Sequence, residues 1–152
     1  MKTTKKNLKY QSPGINEVSR YEKLHTVTFE NSKEGSVSIA REICDLVKAK
    51  HEKNKNCVIG FATGSSPTKV YQEIIRIHKE ESLSFKNVIA FNLDEYFPIN
   101  KDDKNSYHHF MKENLFDHID IPLENINIPS GEIKENQVKK YCTQYELSLI
   151  HI

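Results

Sequence analysis

The stretch Cys57-Val-Ile-Gly-Phe-Ala-Thr-Gly-Ser-Ser-Pro67 decides the fold of this chain. The part up to Ala62 is a short apolar run with β-branched and aromatic side chains, which is typical of a strand buried on both faces. Small residues follow, and after them one helical face carries Val70, Tyr71, Ile74, Ile75 and His78. Strand, small-residue loop and helix in this order predict half of a βαβ unit.

A second apolar run, Asn87-Val-Ile-Ala-Phe-Asn92, follows that helix and the polar loop 81–86. A parallel crossover is the simplest connection between two buried strands separated by a helix, because it packs the helix back onto the sheet. We therefore expect both strands to lie parallel in one sheet. The predicted fold class is α/β, a Rossmann-like three-layer sandwich with a mostly parallel sheet.

Three further helices are predicted around this unit. The segment Asn31-Ser-Lys-Glu34 has the pattern of a capping box, and apolar residues recur after it at helical spacing. The buried stripe expected for that helix consists of Val37, Ala40, Ile43, Cys44 and Val47. Another helix is expected to begin near Ser106 and to bury Phe110, Met111 and Leu115. The last helix is expected over residues 134–146.

The composition excludes several classes of protein. With 152 residues, 37% of them hydrophobic and 28% charged, the chain is a folded domain or part of a larger one. Its 22 Lys and Arg residues and 21 Asp and Glu residues are dispersed along the sequence, which argues against binding to nucleic acid. No apolar run approaches the ~20 residues of a membrane span and no secretory signal is evident, so we expect a cytoplasmic protein without a membrane partner.

Metal binding is the less favoured interpretation of the cysteines and histidines. Cys44, Cys57 and Cys142 are odd in number and far apart, without the CxxC spacing of zinc or redox sites. A metal site could also be drawn from the side chains of His108, His109, His118, Asp102, Asp103 and Asp120. Adjacent histidines on a helix point in different directions, however, and the acids fall in predicted loops. We therefore predict reduced thiols, a solvated helix face and no metal.

The loop after the first predicted strand has the residues of an anion site. Ser66 is predicted to be the N-cap and Pro67 the first residue of the following helix. Gly64 and Ser65 admit close approach, and the amides and dipole of the helix N-terminus favour a phosphate there. A tight turn of small residues without a ligand is an equally weighted alternative. The loop lacks the GxxxxGK[ST] pattern, so a nucleotide is not specifically indicated.

Two carboxylates, Asp94 and Glu95, come directly after the second strand and therefore at the same edge of the sheet as the loop. If partial burial raises its pKa, one carboxylate here could remove a proton α to a carbonyl or imine of a bound sugar. Taken alone, acids in this position more often cap the following turn. Their coincidence with the small-residue loop favours a proton-transfer site.

A set of short strings follows in fixed order along the chain. They are Phe61-Ala-Thr-Gly-Ser-Ser-Pro67, Leu83-Ser-Phe-Lys-Asn-Val88, Phe91-Asn-Leu-Asp-Glu-Tyr96, Ser106-Tyr107, Asp117-His-Ile-Asp-Ile-Pro122 and Glu124-Asn-Ile126. In this order they resemble the glucosamine-6-phosphate deaminase family, from about Tyr21 to Tyr145. The Asn-Leu-Asp-Glu-Tyr string separates deaminases from the related 6-phosphogluconolactonases.

The resemblance implies a cytoplasmic enzyme of amino-sugar catabolism that converts glucosamine 6-phosphate and water to fructose 6-phosphate and ammonia, without metal or organic cofactor. It implies that Asp94 is the catalytic base, which moves a proton from C2 to C1 of the ring-opened sugar. Glu95 and Tyr107 correspond to residues that support the site. The residues that correspond to the phosphate-binding loop are Thr63, Gly64, Ser65 and Ser66. The alternatives are a non-catalytic sugar-phosphate-binding homologue and a hydrolase like 6-phosphogluconolactonase.

The resemblance also divides the chain. Residues 1–30 are expected to be a polar extension and 31–146 the N-terminal part of a deaminase-like domain. The family's Asp-Gly-His string for ring opening does not occur in the sequence, which implies a C-terminally truncated, incomplete sandwich without activity. Residues 147–152 equal a translation of a transposon mosaic end and are expected to be a non-native tail. For the longer parent protein, the resemblance leaves open a homo-oligomer or a fusion with a deacetylase-like domain.

Overall fold

The computed structural model describes residues 26–150, so most of the predicted extension 1–30 lies outside the described residues. The helices and strands are α1 (Ser32–His51), β1 (Cys57–Gly60), α2 (Thr68–Glu81), β2 (Val88–Phe91), α3 (Tyr107–Asn114), β3 (Ile126–Asn127) and α4 (Val138–Ile150). Single-turn 3₁₀ helices lie at Phe116–His118, Leu123–Asn125 and Glu135–Gln137. No helix in residues 26–150 is long and apolar enough to cross a lipid bilayer.

The described strands form one parallel sheet in the order β1-β2-β3. Cys57 pairs with Val88 and Gly60 with Phe91, which confirms the predicted parallel crossover. The α/β fold class is likewise confirmed. Because all strands run in the same direction, the segments that follow them leave the sheet at one edge, which we call the carboxyl edge.

Helices lie on both faces of the sheet. α1 and α2 pack against each other, and the core beneath them contains the buried side chains of Cys57, Val88 and Ala90. Successive side chains of a strand point to opposite faces, so Phe91 lies on the other face. There its ring meets Tyr145 of α4 edge to face, with ring centroids 6.5 Å apart. The arrangement is the predicted order of helix, sheet and helix layers.

α1 begins at the predicted cap, but its buried stripe differs from the prediction. The Asn31 side-chain oxygen accepts the backbone N–H groups of Lys33 and Glu34 at 3.1 and 3.0 Å, and its amide donates to the Glu34 carboxylate at 2.8 Å. The buried residues of α1 are Ser36, Ala40, Cys44 and Val47. Val37 is 40% exposed, contrary to prediction. It is turned by about 100° around the helix from the buried Ser36.

We predicted that β1 would be buried on both faces of the sheet, and the structure differs from this prediction. It ends at Gly60 rather than at Ala62, and Val58 is 40% exposed. Within residues 26–150, β1 pairs with β2 alone and lies at an edge of the sheet. The covered face is the one that carries Cys57, so the apolar run correctly indicated a strand but not how many of its faces are buried.

α4 starts and ends later than the predicted helix over 134–146. The residues before Val138 form a 3₁₀ turn, and the helix continues to Ile150, so residues 147–150 are helical. Tyr145 anchors α4 to the carboxyl edge, because its hydroxyl proton is shared between the carbonyl oxygens of Asn92 and Asn127, at 2.7 and 3.0 Å.

Candidate active site

The loop 63–66 between β1 and α2 forms one side of the carboxyl edge. Its start is held by Tyr71 of α2, whose hydroxyl donates to the Ala62 carbonyl at 2.5 Å. Gly64 has a φ of +99°, in the left-handed region that favours glycine, and a Cβ there would face open space. Ser65 and Ser66 are exposed, so the loop presents backbone and hydroxyl groups to solvent.

α2 begins one residue later than predicted. Its first helical residue is Thr68, and Pro67 rather than Ser66 is the N-cap. The fixed φ of proline suits both the cap and the first turn, so the sequence did not separate the two positions. No described side chain caps α2, and the Thr68 hydroxyl donates instead to the Gly64 carbonyl at 3.3 Å. The amides of the first turn therefore remain available to an anion.

Asn92 ties the ends of the strands together. Its buried side chain donates to the Phe61 carbonyl beyond β1 at 2.8 Å, and its backbone N–H donates to the Asn127 carbonyl at 2.9 Å. The buried side-chain oxygen of Asn92 has no hydrogen-bond partner among residues 26–150. These bonds fix the loop 63–66 beside the segment that follows β2.

Glu95 is the buried member of the acid pair, with a side chain that is 1% exposed. One carboxylate oxygen accepts the N–H groups of Tyr96 and Tyr107 at 2.9 and 2.8 Å. The other oxygen accepts the backbone N–H of His108 and contacts its ring Nδ1, both at 3.0 Å. Burial acts to raise the pKa of Glu95, but these hydrogen bonds outweigh it and hold the pKa below its ordinary value. Glu95 therefore stays ionised and caps the N-terminus of α3.

Asp94 is exposed, so the partial burial that was a condition of the proton-transfer interpretation is not found at this residue. The chain turns Glu95 towards α3 and leaves its neighbour at the surface of the carboxyl edge. The side chain of Tyr107 lies near both this acid and the loop. Hydrogen bonding with the hydroxyl of Tyr96 raises the pKa of Tyr107, the side chain of Thr63 lowers it, and the charge of Asp94 raises it further. Thr63, Tyr107 and Asp94 are thus neighbours at one edge.

A cavity of about 490 Å³ opens between the loop 63–66 and α3. This volume lies within the range of about 300–1,000 Å³ that is usual for small-molecule sites. Tyr96 and Tyr107 form one wall, with ring centroids 4.9 Å apart and planes inclined by 45°. Gly64 and Phe110 also line the cavity. Of the described residues that line it, Lys104 alone is charged.

The described histidines and cysteines do not converge. His108 contacts Glu95, whereas the rings of His109 and His118 contact the Glu113 carboxylate at 3.3 Å and the Glu113 carbonyl at 2.8 Å. Among residues 26–150, no group of three or more His, Cys, Asp or Glu side chains could hold a metal ion. The thiols that the structure describes are free, buried at Cys44 and Cys57 and exposed at Cys142.

The structure places all the predicted site residues at the carboxyl edge, but sequence reasoning missed three others. Asn92 and Tyr96 flank the predicted acids within the string Phe91-Asn-Leu-Asp-Glu-Tyr96, so this string could have identified them as site residues. Lys104 lies in the charged run 101–104 without a recognisable pattern, and only the fold brings it to the cavity.

A parallel sheet with a polar loop and an acid at its carboxyl edge defines an α/β protein of the class that binds ligands at this edge. Residues 30–151 match the family model described as glucosamine-6-phosphate isomerases/6-phosphogluconolactonase. The chain belongs to this family, as the strings in its sequence predicted.

The relatives with high identity are named as deaminases. A putative glucosamine-6-phosphate deaminase-like protein of Bacteroides thetaiotaomicron is 43% identical over 129 residues, which are 85% of this chain and 20% of that protein. A glucosamine-6-phosphate deaminase of Oceanobacillus iheyensis is 49% identical over 89 residues, which are 59% of this chain and 35% of that enzyme.

Solved structures show the same fold. A monomeric glucosamine-6-phosphate deaminase has a TM-score of 0.77 and 34% identity, over 84% of this chain and 51% of that one. A 6-phosphogluconolactonase of Thermotoga maritima shares the fold at a TM-score of 0.60 and 21% identity, over 77% of this chain and 50% of that one. The chain thus spans about half or less of the length of these relatives.

Proposed function

We propose that this chain carries the phosphate loop and the proton-transfer base of a cytoplasmic glucosamine-6-phosphate deaminase. The observation that carries the proposal is the position of Thr63 and Asp94 at one edge of a parallel sheet, with Tyr107 interacting with both. Membership of the family supports it, as do the names of the relatives. A loop with free amides at 63–66 and a carboxylate beyond the next strand suit a phosphorylated sugar.

In the proposed reaction, the ring-opened sugar lies with C2 facing Asp94. The carboxylate takes the proton from C2, the C–H electron pair forms the C1=C2 double bond, and the aldehyde oxygen takes up a proton. The carboxyl group then returns a proton to C1 while the nitrogen lone pair forms the C2=N bond of an iminium ion. Water adds to C2 and ammonia leaves, so glucosamine 6-phosphate and water give fructose 6-phosphate and ammonia.

The structure supports a division of labour between the two ends of the substrate. Phosphate binding far from the reacting carbons positions the sugar, so that binding energy is used to orient C2 towards the base. Glu95 supports this geometry, because its four contacts with Tyr96, Tyr107 and His108 fix the backbone directly after Asp94. Asp94 is itself exposed and therefore accessible to a substrate.

The test is deuterium exchange into fructose 6-phosphate in D2O with ammonium chloride, followed by proton NMR. The ketose supplies some open-chain sugar without an enzymic ring-opening group, and its imine presents a C1 proton to the base. We expect exchange at C1 above the buffer rate with the unaltered chain and at the buffer rate with Asp94→Asn. Asp117→Asn is the matched control, since Asp117 is also exposed but follows α3. Exchange by Asp94→Asn at the unaltered rate would remove Asp94 from the proposed role.

We further propose that the 152-residue chain does not complete the reaction at an ordinary enzymic rate, since its sequence has no Asp-Gly-His string. Ammonia release from glucosamine 6-phosphate measures this directly. Rapid release would show that other residues open the ring. Rapid hydrolysis of 6-phosphogluconolactone, with no exchange at C1, would instead favour the lactonase function.

A further inference from the structure

We propose that Lys104 binds the phosphate group of the substrate in the cavity between the loop 63–66 and α3. The inference rests on the proposed function and adds to it a cationic binding residue that lies outside the loop. The ligand chemistry is that of a phosphate monoester, and free inorganic phosphate shares it.

The cavity is electrostatically suited to an anion. Lys104 is the one charged residue among the described residues that line it, and no carboxylate among them lines the cavity. Lys104 also makes no ion pair within residues 26–150. One oxygen of the adjacent Asp103 carboxylate accepts both the backbone N–H and the side-chain amide of Asn105, at 2.8 and 3.0 Å. The positive charge of Lys104 is therefore not neutralised by a described acid.

The backbone that carries Lys104 is held in place. The Ser106 hydroxyl donates to the Lys101 carbonyl at 2.7 Å, and the Ser106 N–H donates to the Asp103 carbonyl at 2.9 Å. The side chain of Ser106 also caps α3 by accepting the N–H of His109 at 3.0 Å. These bonds fix the position of Lys104 relative to α3 before any ligand binds, which lowers the entropic cost of binding.

The opposite wall leaves room for the anion. Gly64 lines the same cavity and has no side chain to block approach to the loop backbone. Tyr107 borders the cavity and also interacts with Thr63 and with Asp94. A sugar whose phosphate lies between Gly64 and Lys104 can therefore extend past Tyr107 towards Asp94. This places the phosphate and the reacting carbons at opposite ends of one site.

The experiment is a titration of the isotope-labelled 152-residue chain, followed by amide NMR at low ionic strength, with glucosamine 6-phosphate, inorganic phosphate and unphosphorylated glucosamine as probes. Lys104→Met removes the charge and keeps most of the aliphatic stem. Lys104→Arg restores the charge, and Lys101→Met removes an exposed lysine of the same segment that does not line the cavity. We expect both phosphates to shift the amide signals of Gly64 and Lys104, and glucosamine to shift neither. Lys104→Met should weaken phosphate binding about tenfold, while Lys104→Arg and Lys101→Met stay within about threefold of the unaltered chain.

The outcomes separate this inference from the proposed function. Equal binding of glucosamine 6-phosphate by Lys104→Met and the unaltered chain would overturn the role of Lys104 and leave the proposed function intact. Lys104-dependent binding of inorganic phosphate without binding of the sugar phosphate would support the anion site and contradict the sugar-phosphate function. Binding of neither phosphate would overturn both.

Discussion

Replacing Glu95 by alanine is expected to remove about 3 kcal/mol from the free energy of unfolding. The carboxylate accepts the backbone N–H groups of Tyr96, Tyr107 and His108 and contacts the His108 ring. Alanine reaches none of these groups. Because the side chain of Glu95 is 1% exposed, water cannot readily replace the carboxylate without a rearrangement of the segment.

The magnitude follows from comparison with two kinds of substitution. Removing an N-cap side chain costs about 0.5–2 kcal/mol. Leaving a buried donor without its acceptor costs about 1–3 kcal/mol. Glu95 both caps α3 and accepts three backbone N–H groups, whereas the His108 side chain is 30% exposed and can turn to solvent. The expected loss therefore lies at the upper end of the second range.

Glu95→Gln separates hydrogen bonding from charge. The amide oxygen of glutamine can accept the N–H groups of Tyr96 and Tyr107, but its NH2 group then faces the backbone N–H of His108. One donor of α3 is left without an acceptor, so we expect an intermediate loss of about 1–2 kcal/mol.

Urea unfolding followed by circular dichroism at neutral pH measures these losses. His109→Ala is the control, because His109 pairs with a Glu113 side chain that is 66% exposed. That control should change the free energy of unfolding by less than about 0.5 kcal/mol. A loss below about 1 kcal/mol for Glu95→Ala, the scale of an ordinary exposed cap, would refute the reasoning.

The hydrogen bonds of Glu95 also make the free energy of unfolding depend on pH. The folded-state pKa of Glu95 lies below the ordinary value of 4.5, so the unfolded state binds the proton first. The stabilisation by the carboxylate is complete above pH 4.5 and is lost as the pH falls through the lower folded-state pKa. The stability advantage of the unaltered chain over Glu95→Gln should therefore shrink on acidification in this window. An advantage that grows on acidification would contradict the assignment of Glu95 as an ionised cap.

Three further predictions concern other parts of the fold. Gly131→Ala should destabilise the chain by about 2 kcal/mol in urea unfolding. The Cβ of the new alanine would lie 2.4 Å from the carbonyl oxygen of Tyr96. An unchanged free energy of unfolding would contradict this close contact. Asn31→Ala should cost about 1 kcal/mol by the same measurement, since it removes the cap of α1. Cys142 should react with a thiol reagent in the folded protein, whereas Cys44 should react only on unfolding. The reason is that Cys142 is exposed, while burial raises the pKa of Cys44 to about 12. Equal rates of modification of the two thiols in the folded protein would contradict the described burial.

The features of the fold that depend on local chemistry could be predicted from the sequence. The Asn31 cap requires only the residues next to it, and the parallel pairing of β1 and β2 follows from two apolar runs with a helix between them. The exposure of Val58 could not be predicted, because it depends on what covers the second face of the sheet. The exact start of α2 was missed because Pro67 fits two adjacent positions equally well.

For the candidate site too, the sequence predicts only the parts that depend on local pattern. The loop 63–66 and the acid pair each follow a strand, so a parallel sheet was sufficient to predict that they share an edge. The place of Lys104 depends on a turn segment that has no periodic pattern, and only the packing of α3 brings it to the cavity. Site residues in irregular segments that do not directly follow a strand are therefore the ones that sequence patterns do not identify.

The sequence left two interpretations open for acids that follow a strand, a cap and a proton-transfer base. The structure assigns the cap to Glu95, and we propose the base for Asp94. Glu95 is the capping acid, buried and held by hydrogen bonds that keep it ionised, and a group so engaged has little capacity to exchange a proton with a substrate. Asp94 has the exposure that a substrate requires, and its backbone is fixed by the neighbour that caps α3. The cap therefore supports the role that we propose for Asp94, because a base must be held in a fixed position relative to C2 of the sugar, and an unrestrained segment would not hold it there.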